Sequence, residues 1–295
     1  MRPGRSEDQA AFLRLLEKEA GEGRRETAPG QWMARALGGF DWESRSRVVG
    51  PRGGELDGAV VVTHRMYQIG TITRIEVAVA SAGDATLRDA LVRWGLGLSK
   101  AAGAAAAQVW LPRGQAELAP LGLEAVRLWW RMDRDLAGDL PAPEPVHGYH
   151  LLVGSAVTPG RWADAHNRSF ADHWRYSTRT EDELMSGRAL ELCLLAVDDA
   201  GSSAAVTLGQ LQSNDSDARA QPVGIVNSVG TLPAHRRRGL ARWLVNELLP
   251  RLRRAGAASA SLYVDGMNPT GAPHLYRDLG FEVAFETEVW EATFP

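Results

Sequence analysis

Apolar and polar positions change period several times between residue 149 and the C-terminus, and each change marks a predicted helix or strand. Apolar residues at helical spacing predict helices over residues 159–174, 239–255 and 270–279. Short apolar runs bounded by Gly, Pro, Asn or Asp predict a turn at 214–217 and strands over residues 191–197, 205–212, 223–231, 259–264 and 282–293. This order predicts an α+β class (mixed α/β), with a twisted mixed sheet flanked by helices.

The same pattern occurs earlier in the chain, which indicates an internal repeat. When the chain is shifted by 153 residues (87 onto 240), the Ala-Gly-Ala-Ala turn at 102–105 falls on 255–258. The apolar positions of the preceding helix then also coincide: Leu87, Leu91, Val92 and Leu96 fall on Leu240, Leu244, Val245 and Leu249. Leu-Gly-Leu-Glu at 121–124 matches Leu-Gly-Phe-Glu at 279–282 after a further shift of five residues. Helical spacing alone arises by chance, whereas these motifs in one order indicate a duplication.

The most proline-dense stretch of the chain separates the two copies. It contains Pro141, Pro143 and Pro145, a composition typical of a linker. We therefore predict two tandem domains over residues 1–140 and 149–295, joined by a linker at 141–148. A chain of 295 residues is long enough for two hydrophobic cores.

Composition and charge narrow the class of protein. A net charge of −3 does not favour binding to a polyanion. The chain has no apolar run long enough to span a membrane and no apolar signal-peptide core. We therefore expect a cytoplasmic protein that binds neither membrane nor nucleic acid. The single cysteine, Cys193, lies in an apolar run, which favours a buried structural thiol and argues against a cysteine-built zinc site. No metal is predicted.

Three arginines precede the long helix predicted at 239–255, and Gly239 opens it. The first turn of a helix has unpaired backbone N–H groups that bind phosphate, and Gly239 would let a pyrophosphate approach the main chain. The arginines at 236–238 add forked donors for phosphate oxygens. Taken alone, they are more typical of an exposed helix start. A nucleic-acid patch would need basic residues on several elements, with exposed aromatic residues between them.

A second motif follows the next predicted strand, between residues 264 and 281. The pattern Arg/Gln-x-x-Gly-x-Gly/Ala is matched by Arg236, Gly239 and Ala241. The pattern Asn-x-x-Ala-x-x-Leu-Tyr-x-x-x-Gly-Phe is matched with one extra residue between its Asn and its Ala. The matching residues are Asn268, Ala272, Leu275, Tyr276, Gly280 and Phe281. In these motifs the sequence resembles the GNAT superfamily of acyl-CoA-dependent N-acetyltransferases, from about residue 161 to the C-terminus. The tandem arrangement resembles the mycothiol synthase branch of that superfamily.

The resemblance implies that acetyl-CoA binds in a gap between the fourth and fifth strands of the second domain. The pantetheine arm would pair with backbone groups of Val229 and Thr231, and the Val229 N–H would polarise the thioester carbonyl. Asn268 would also bond the pantetheine arm. The residues implied to bind the cofactor are Val229, Thr231, Arg236, Arg237, Arg238, Gly239, Leu240, Ala241, Asn268 and Tyr276.

The resemblance also assigns chemistry to side chains near the reacting atoms. Tyr276 would protonate the departing thiolate as a general acid. Many family members place a glutamate on the fourth strand as the base, and this chain has no carboxylate between residues 223 and 229. Asn227 and Ser228 can hold a water there but are poor bases. The segment with Asp172, His173 and Trp174 borders the expected acceptor site, so Asp172 or His173 is either the base or an ordinary polar residue at the end of a helix.

The first copy lacks the residues that this chemistry needs. At the shift of 153 residues, Asp84 and Thr86 stand near the positions of the phosphate-binding motif, and the five-residue gap removes part of the second motif. We therefore predict a degenerate first domain and a catalytic second one. The predicted function is acetyl transfer from acetyl-CoA to a primary amine of a small molecule, by direct attack in a ternary complex, in a monomer or homodimer. The alternative is a non-catalytic acyl-CoA-binding or sensing module.

Overall fold

The computed structural model describes residues 1–26, 37–67, 69–212, 222–268 and 270–294. Its strands are β1 (Arg2–Pro3), β2 (Ser46–Val49), β3 (Gly58–Tyr67), β4 (Gly70–Val79), β5 (Ala106–Pro112), β6 (Glu124–Asp135), β7 (Tyr149–Val153), β8 (Cys193–Asp198), β9 (Ser203–Gln212), β10 (Val223–Thr231), β11 (Ser259–Asp265) and β12 (Glu282–Thr293). The helices of the described residues are α1 (Gln9–Gly21), α2 (Trp42–Arg45), α3 (Ala85–Ala101), α4 (Pro159–Phe170), α5 (Glu181–Met185), α6 (Leu240–Arg254) and α7 (Ala272–Asp278). Within this part of the chain, no helix is long and apolar enough to cross a membrane.

The observed elements agree with most of those predicted for the second half of the chain. β10 and β12 have the predicted bounds, and α6 differs from the prediction by one residue at each end. The predicted helix at 159–174 was too long, because α4 ends at Phe170. A guanidinium nitrogen of Arg236 donates to the Ser169 carbonyl at 3.2 Å, which satisfies one of the terminal carbonyls of α4. β7 and α5 were not predicted, and the predicted turn at 214–217 lies outside the described residues.

All twelve strands form one mixed sheet in the order β1-β2-β3-β4-β5-β12-β6-β11-β10-β9-β8-β7. Only β4–β5 and β10–β11 pair in parallel, and the described strands otherwise pair antiparallel. The order is symmetric about its centre, because the first six strands and the last six strands of the chain occupy equivalent places. The two halves have exchanged their last strands: β12 pairs with β5, β6 pairs with β11, and the two exchanged strands pair with each other.

Helices cover both faces of each half of the sheet. In the first half, α3 packs on one face around Leu91 and α1 on the other around Phe12. In the second half, α6 packs around Leu244 and α4 around Trp162. Successive strand residues point to opposite faces, so each half has two apolar clusters. Cys193 is buried in the cluster under α4, and this burial raises the pKa of its thiol to about 11.

Candidate functional site

A gap opens between the two central strands of the second half. β10 and β11 pair in parallel over four residue pairs, the last of which is Val226 with Leu262. Both strands then continue, still paired to their outer neighbours β9 and β6. The register of β10 against β9 shifts between Val226 and Ser228, so Asn227 forms a β-bulge. A bulge bends its strand and increases its twist, and β10 therefore diverges from β11 beyond Asn227.

The backbone of β10 presents hydrogen-bonding groups to this gap. Leu232 donates its N–H to the Ala204 carbonyl of the β9 edge at 2.9 Å. Along an antiparallel pair, positions that bond the partner strand alternate with positions that face away. Gly230 therefore faces β9, while the N–H and C=O groups of Val229 and Thr231 face the gap. These are the two residues whose backbone the resemblance assigns to the pantetheine arm.

The N-terminus of α6 lies at the end of the loop that follows β10. Intrahelical bonding begins with the Trp243 N–H, which donates to the Gly239 carbonyl at 3.0 Å. The N–H groups of residues 240–242 therefore lack an intrahelical acceptor, and no side chain of the described residues caps the helix. Gly239 has φ +87° and Arg237 has φ +63°, and both values fold the loop over the helix start. Among the described residues, a Cβ on Gly239 would meet Val146 alone, at 3.8 Å, so these residues leave space at this position.

Arg236 has partners other than the phosphate that the resemblance implies. Its guanidinium makes two bonds to Asp172, one of 2.5 Å and one of 2.9 Å. Its Nε donates to the Thr231 carbonyl at 3.1 Å, and Nη2 donates to the Ser169 carbonyl. The side chain thus joins the end of α4 to the end of β10.

The other two arginines lie nearer to solvent. Arg238 donates to the Tyr149 hydroxyl at 3.1 Å, and this hydroxyl is 3.0 Å from His235 Nδ1. Arg237 is exposed and has no side-chain partner within the residues that the structure describes. Tyr149 begins β7, directly after the predicted linker, and no motif in the sequence pointed to it as a neighbour of this loop.

The second motif follows β11, one of the two strands that border the gap. Tyr276 on α7 is buried, with its ring edge-to-face with Phe281 at 6.1 Å, and burial raises the pKa of its hydroxyl. A raised pKa keeps the phenol protonated at neutral pH, the form that a general acid needs. Asn268 uses its side-chain carbonyl to accept from the N–H and hydroxyl of Thr270, at 2.8 and 2.7 Å. The Asn268 carbonyl oxygen therefore shapes the turn before α7, and its amide nitrogen has no partner among the described residues.

Two candidate bases lie beyond the end of α4, and their surroundings differ. The hydrogen bonds from Arg236 lower the pKa of Asp172, which stays ionised and is a weakened base. Burial lowers the pKa of His173, so its ring is predominantly neutral at pH 7 and can accept a proton. The ring packs edge-to-face on Phe170 at 4.6 Å. Asp265, at the end of β11, also interacts electrostatically with His173. It was missed because the sequence analysis looked for a base only on β10 and at residues 172–173.

Asn227 and Ser228 lie at the mouth of the gap. Asn227 is exposed at the bulge, and its Nδ2 donates to Gln210 Oε1 at 3.2 Å. Ser228 is half-buried, and its carbonyl accepts from the Thr207 hydroxyl at 2.7 Å. Both residues border the gap. Their predicted part in holding a water stays a prediction.

The first half of the sheet has an equivalent gap. β4 and β5 pair over four residue pairs ending at Ile75 and Val109, after which both strands continue. Ile75 in β4 is therefore equivalent to Val226 in β10, the last residue of each strand that pairs in parallel. Because β10 has one extra residue at the bulge, Val77 and Val79 are equivalent to Val229 and Thr231. β4 has no bulge against β3.

Side chains from α1 and the segment after it fill this first gap. The Val79 N–H donates to Glu19 Oε1 at 3.0 Å, and Arg24 donates to the Val79 carbonyl at 3.0 Å. Arg25 donates to the Val77 carbonyl at 3.1 Å. Glu19 is only 4% exposed. The equivalents of the Val229 and Thr231 backbone groups are thus hydrogen-bonded to side chains at the first gap, whereas at the second gap Arg236 binds the Thr231 carbonyl.

The helix start beside the first gap is also occupied. Asp84 caps α3 by accepting from the Leu87 N–H at 3.0 Å, so a carboxylate of the chain stands where a phosphate would bind. A short 3-10 turn at Ala119–Leu121 replaces α7. Within its described residues, the first half therefore keeps the strand arrangement but has neither an uncapped helix start nor an equivalent of α7 beside its gap.

Comparisons with known proteins identify relatives of this chain. A family described as FR47-like protein matches residues 212–290. A mycothiol acetyltransferase of Catenulispora acidiphila is 30% identical over 252 residues, covering 81% of this chain and 78% of the relative. Another mycothiol acetyltransferase, from Thermobispora bispora, is 35% identical over 185 residues, and that alignment spans 58% of this chain and 59% of the relative.

Solved structures share the fold over the whole chain. A GCN5-related N-acetyltransferase from Sphaerobacter thermophilus has a TM-score of 0.81 and 24% identity, covering 99% of this chain and 94% of that one. A tandem GNAT protein from the clavulanic acid biosynthesis pathway has a TM-score of 0.66 and 18% identity, covering 100% and 98%. The predicted fold class of two tandem GNAT-like domains is confirmed.

The chain belongs to the GNAT superfamily of acetyltransferases. Within that superfamily, the relatives described above are mycothiol acetyltransferases. The prediction of an acyltransferase is thereby confirmed, while its acceptor and the roles of individual residues belong to the proposal that follows.

Proposed function

We propose that this chain transfers the acetyl group of acetyl-CoA to a primary amine of a small molecule, by direct attack in a ternary complex. The observation that carries the proposal is the gap between β10 and β11, which opens at the Asn227 bulge and ends near the uncapped N-terminus of α6. A pantetheine arm needs backbone partners along an open strand, and a pyrophosphate needs free N–H groups. Both lie along one path, which supports one acetyl-CoA in this gap.

Each part of the cofactor then has its own partners. The pyrophosphate lies against Arg237, Arg238, Gly239, Leu240 and Ala241, and the Arg236 side chain supports the strand end beside it. The pantetheine arm pairs with the backbone of Val229 and Thr231 and with the Asn268 side chain. The Val229 N–H also donates to the thioester oxygen, where negative charge develops during attack.

The reaction forms one bond and breaks one. The amine nitrogen attacks the thioester carbonyl, the C–N bond forms, the C–S bond breaks, and the Tyr276 hydroxyl protonates the departing thiolate. His173 is the better placed of the two predicted bases to take the proton of the amine, because Asp172 is held by Arg236. A water at Asn227 and Ser228 would relay that proton.

The acceptor approaches from the face of the sheet that α4 covers, where Asp172, His173 and Trp174 lie. The relatives named mycothiol acetyltransferase support a small molecule as acceptor. Domain bounds at 1–140 and 149–295, a cytoplasmic location, and a monomer or homodimer remain predictions.

The test is acetylation of a panel of small primary amines, read by mass spectrometry of the amine and by release of free CoA. We expect at least one amine to gain an acetyl group with one CoA released per product. A chain that binds acetyl-CoA, yet acetylates no amine in a broad panel, would support the non-catalytic sensing module instead. Salt-sensitive binding of an oligonucleotide would support the nucleic-acid alternative.

A further inference from the structure

The last strand of the chain carries a buried carboxylate into the first half of the sheet. Glu291 lies on β12 opposite Gln108 of β5, and it is 5% exposed. One of its oxygens, Oε2, accepts from Gln108 Nε2 at 2.7 Å. The side-chain carbonyl of Gln108 in turn accepts from Trp110 Nε1 at 3.1 Å. Glu291 is therefore fixed from one side by the first half.

The other oxygen of Glu291 binds a residue of the second half. Arg175 Nη2 donates to Glu291 Oε1 at 2.6 Å. Arg175 has φ +53°, a left-handed conformation that costs free energy in any residue with a side chain. Such a conformation persists only where the surroundings hold it. The charge-assisted bond to Glu291 is one contact that does so, beside the turn closed by the Tyr176 N–H.

Arg175 ends the segment that carries His173 and Trp174. The guanidinium of Arg175 lies 5.6 Å from the Trp174 ring centroid, and that of Arg127 lies 5.1 Å from it. Arg127 comes from β6, the other exchanged strand, and its Nε is 3.4 Å from Asp265 Oδ2. The two exchanged strands thus hold this segment from two sides.

We propose that Glu291 is a positioning residue for acceptor binding: through Arg175 it fixes residues 171–175 at the mouth of the gap between β10 and β11. The inference rests on the proposed function, because it concerns the acceptor side of the same site. It gives the degenerate first half a role without cofactor chemistry. The first half supplies the neighbours that hold Glu291 in place.

The test is Glu291→Gln, which keeps the shape of the side chain and removes its charge. We expect the KM for the acceptor to rise about tenfold, the loss expected for a hydrogen bond to a charged group. The KM for acetyl-CoA should stay within about twofold, far below that loss. The control is Glu286→Gln on the same strand, whose partner is the exposed Arg113 at 2.7 Å. The control should leave both Michaelis constants unchanged.

A second variant separates positioning from general loss of folding. Arg175→Gly relieves the left-handed strain and removes the same ion pair, so it should raise the KM for the acceptor. The double variant Glu291→Gln/Arg175→Gly should have an acceptor KM no higher than that of the more affected single variant. Equal rises in the KM for acetyl-CoA, or additive effects in the double variant, would overturn the proposal.

Hydrogen exchange tests the same link without any activity. The amides of His173 and Tyr176 donate within this segment, to Phe170 and His173, and their protection should fall in Glu291→Gln but not in Glu286→Gln. Unchanged protection would overturn the inference even if acetyl transfer is established. If the unaltered chain acetylates no amine, the proposed function fails, and hydrogen exchange still decides whether Glu291 holds the segment.

Discussion

The guanidinium of Arg236 binds the carboxylate of Asp172 through two hydrogen bonds, of 2.5 and 2.9 Å. This pair joins the cofactor motif to the segment where a base was expected. It has two consequences. Asp172 is a poor proton acceptor while it is bound to Arg236, and the Arg236 side chain supports the end of β10 by its bond to the Thr231 carbonyl.

The first prediction separates support of the strand from contact with phosphate. Asp172→Asn touches no phosphate, yet it should weaken CoA binding, though less than Arg236→Gln does, because Arg236 loses the partner that orients it but keeps its bond to the Thr231 carbonyl. In contrast, Arg237→Gln and Arg238→Gln should each raise the Kd for CoA up to about fivefold at low salt, the upper range for an exposed ion pair. This effect should shrink as salt is added.

Calorimetric titration of these variants at two salt concentrations is the measurement. Unchanged or tighter CoA binding in Asp172→Asn would make Arg236 a direct phosphate ligand, since removal of a neighbouring negative charge would then favour the cofactor.

The second prediction concerns Tyr276. Tyr276→Phe keeps the buried ring and its packing on Phe281 but removes the hydroxyl. If departure of the thiolate limits the rate, kcat should fall by about a hundred- to ten-thousand-fold, the usual contribution of a general acid. The KM for acetyl-CoA should change far less, because the lost interaction is made mainly in the transition state.

Steady-state kinetics with the acceptor found in the amine panel provides the test, and Tyr67→Phe on β3 serves as the control. A fall in kcat below about threefold, well under the range for a general acid, would reduce Tyr276 to a packing residue.

The third prediction uses two glycines at opposite ends of α6. Gly239 and Gly256 have φ +87° and +103°, so an added Cβ strains the backbone at both. Only Gly239 lies at the proposed pyrophosphate site. Gly239→Ala should therefore abolish CoA binding while Gly256→Ala preserves it, with similar losses of stability of about 1–2 kcal/mol. Equal CoA affinity in the two variants, measured by calorimetry beside urea unfolding, would place the phosphates elsewhere.

The local sequence pattern was enough to predict most of the strands and helices in the second half of the fold. The bounds of β10 and β12 follow from local punctuation, because glycine, proline and polar residues interrupt apolar runs at both ends. β7 escaped prediction because it is a short edge strand next to a proline-rich stretch, where the local pattern carries little periodicity.

Long-range pairing could not be predicted from the sequence. Asp172 and Arg236 are separated by 64 residues, and Glu291 and Arg175 by 116. The exchange of β6 and β12 depends on which strand edges meet in the folded sheet. The alternation of apolar and polar residues in each strand is the same whether it pairs within its own half or with the other half, so the sequence pattern does not distinguish the two arrangements. The hydrogen bonds of Glu19 and Arg25 in the first gap could not be predicted either, because they too join residues that are far apart in the sequence.

The fourth prediction concerns pH and His166. This ring is 4% exposed and stacks on Phe170 and Trp162, with centroids 4.6 and 5.3 Å away. Burial, with smaller contributions from Arg179 and His173, lowers its pKa to about 4. The unfolded chain binds a proton near pH 6.5, so the free energy of unfolding should fall as the pH falls from about 6.5 to 4.

Between pH 7 and pH 5 the expected loss from this ring is about 2 kcal/mol. His166→Phe keeps an aromatic ring in the stack and removes the titration, so its stability should depend less on pH in this window. Urea unfolding at the two pH values measures the difference. The same pH dependence in both proteins would show that His166 is not the source.

The central claim is that acetyl-CoA binds once, in the gap between β10 and β11, because the first gap is filled by the chain itself. Isothermal titration calorimetry of the full chain with acetyl-CoA tests this most directly. We expect one site per chain, and we expect Gly239→Ala to lose it. Two sites per chain, or one site that persists unchanged in Gly239→Ala, would contradict it.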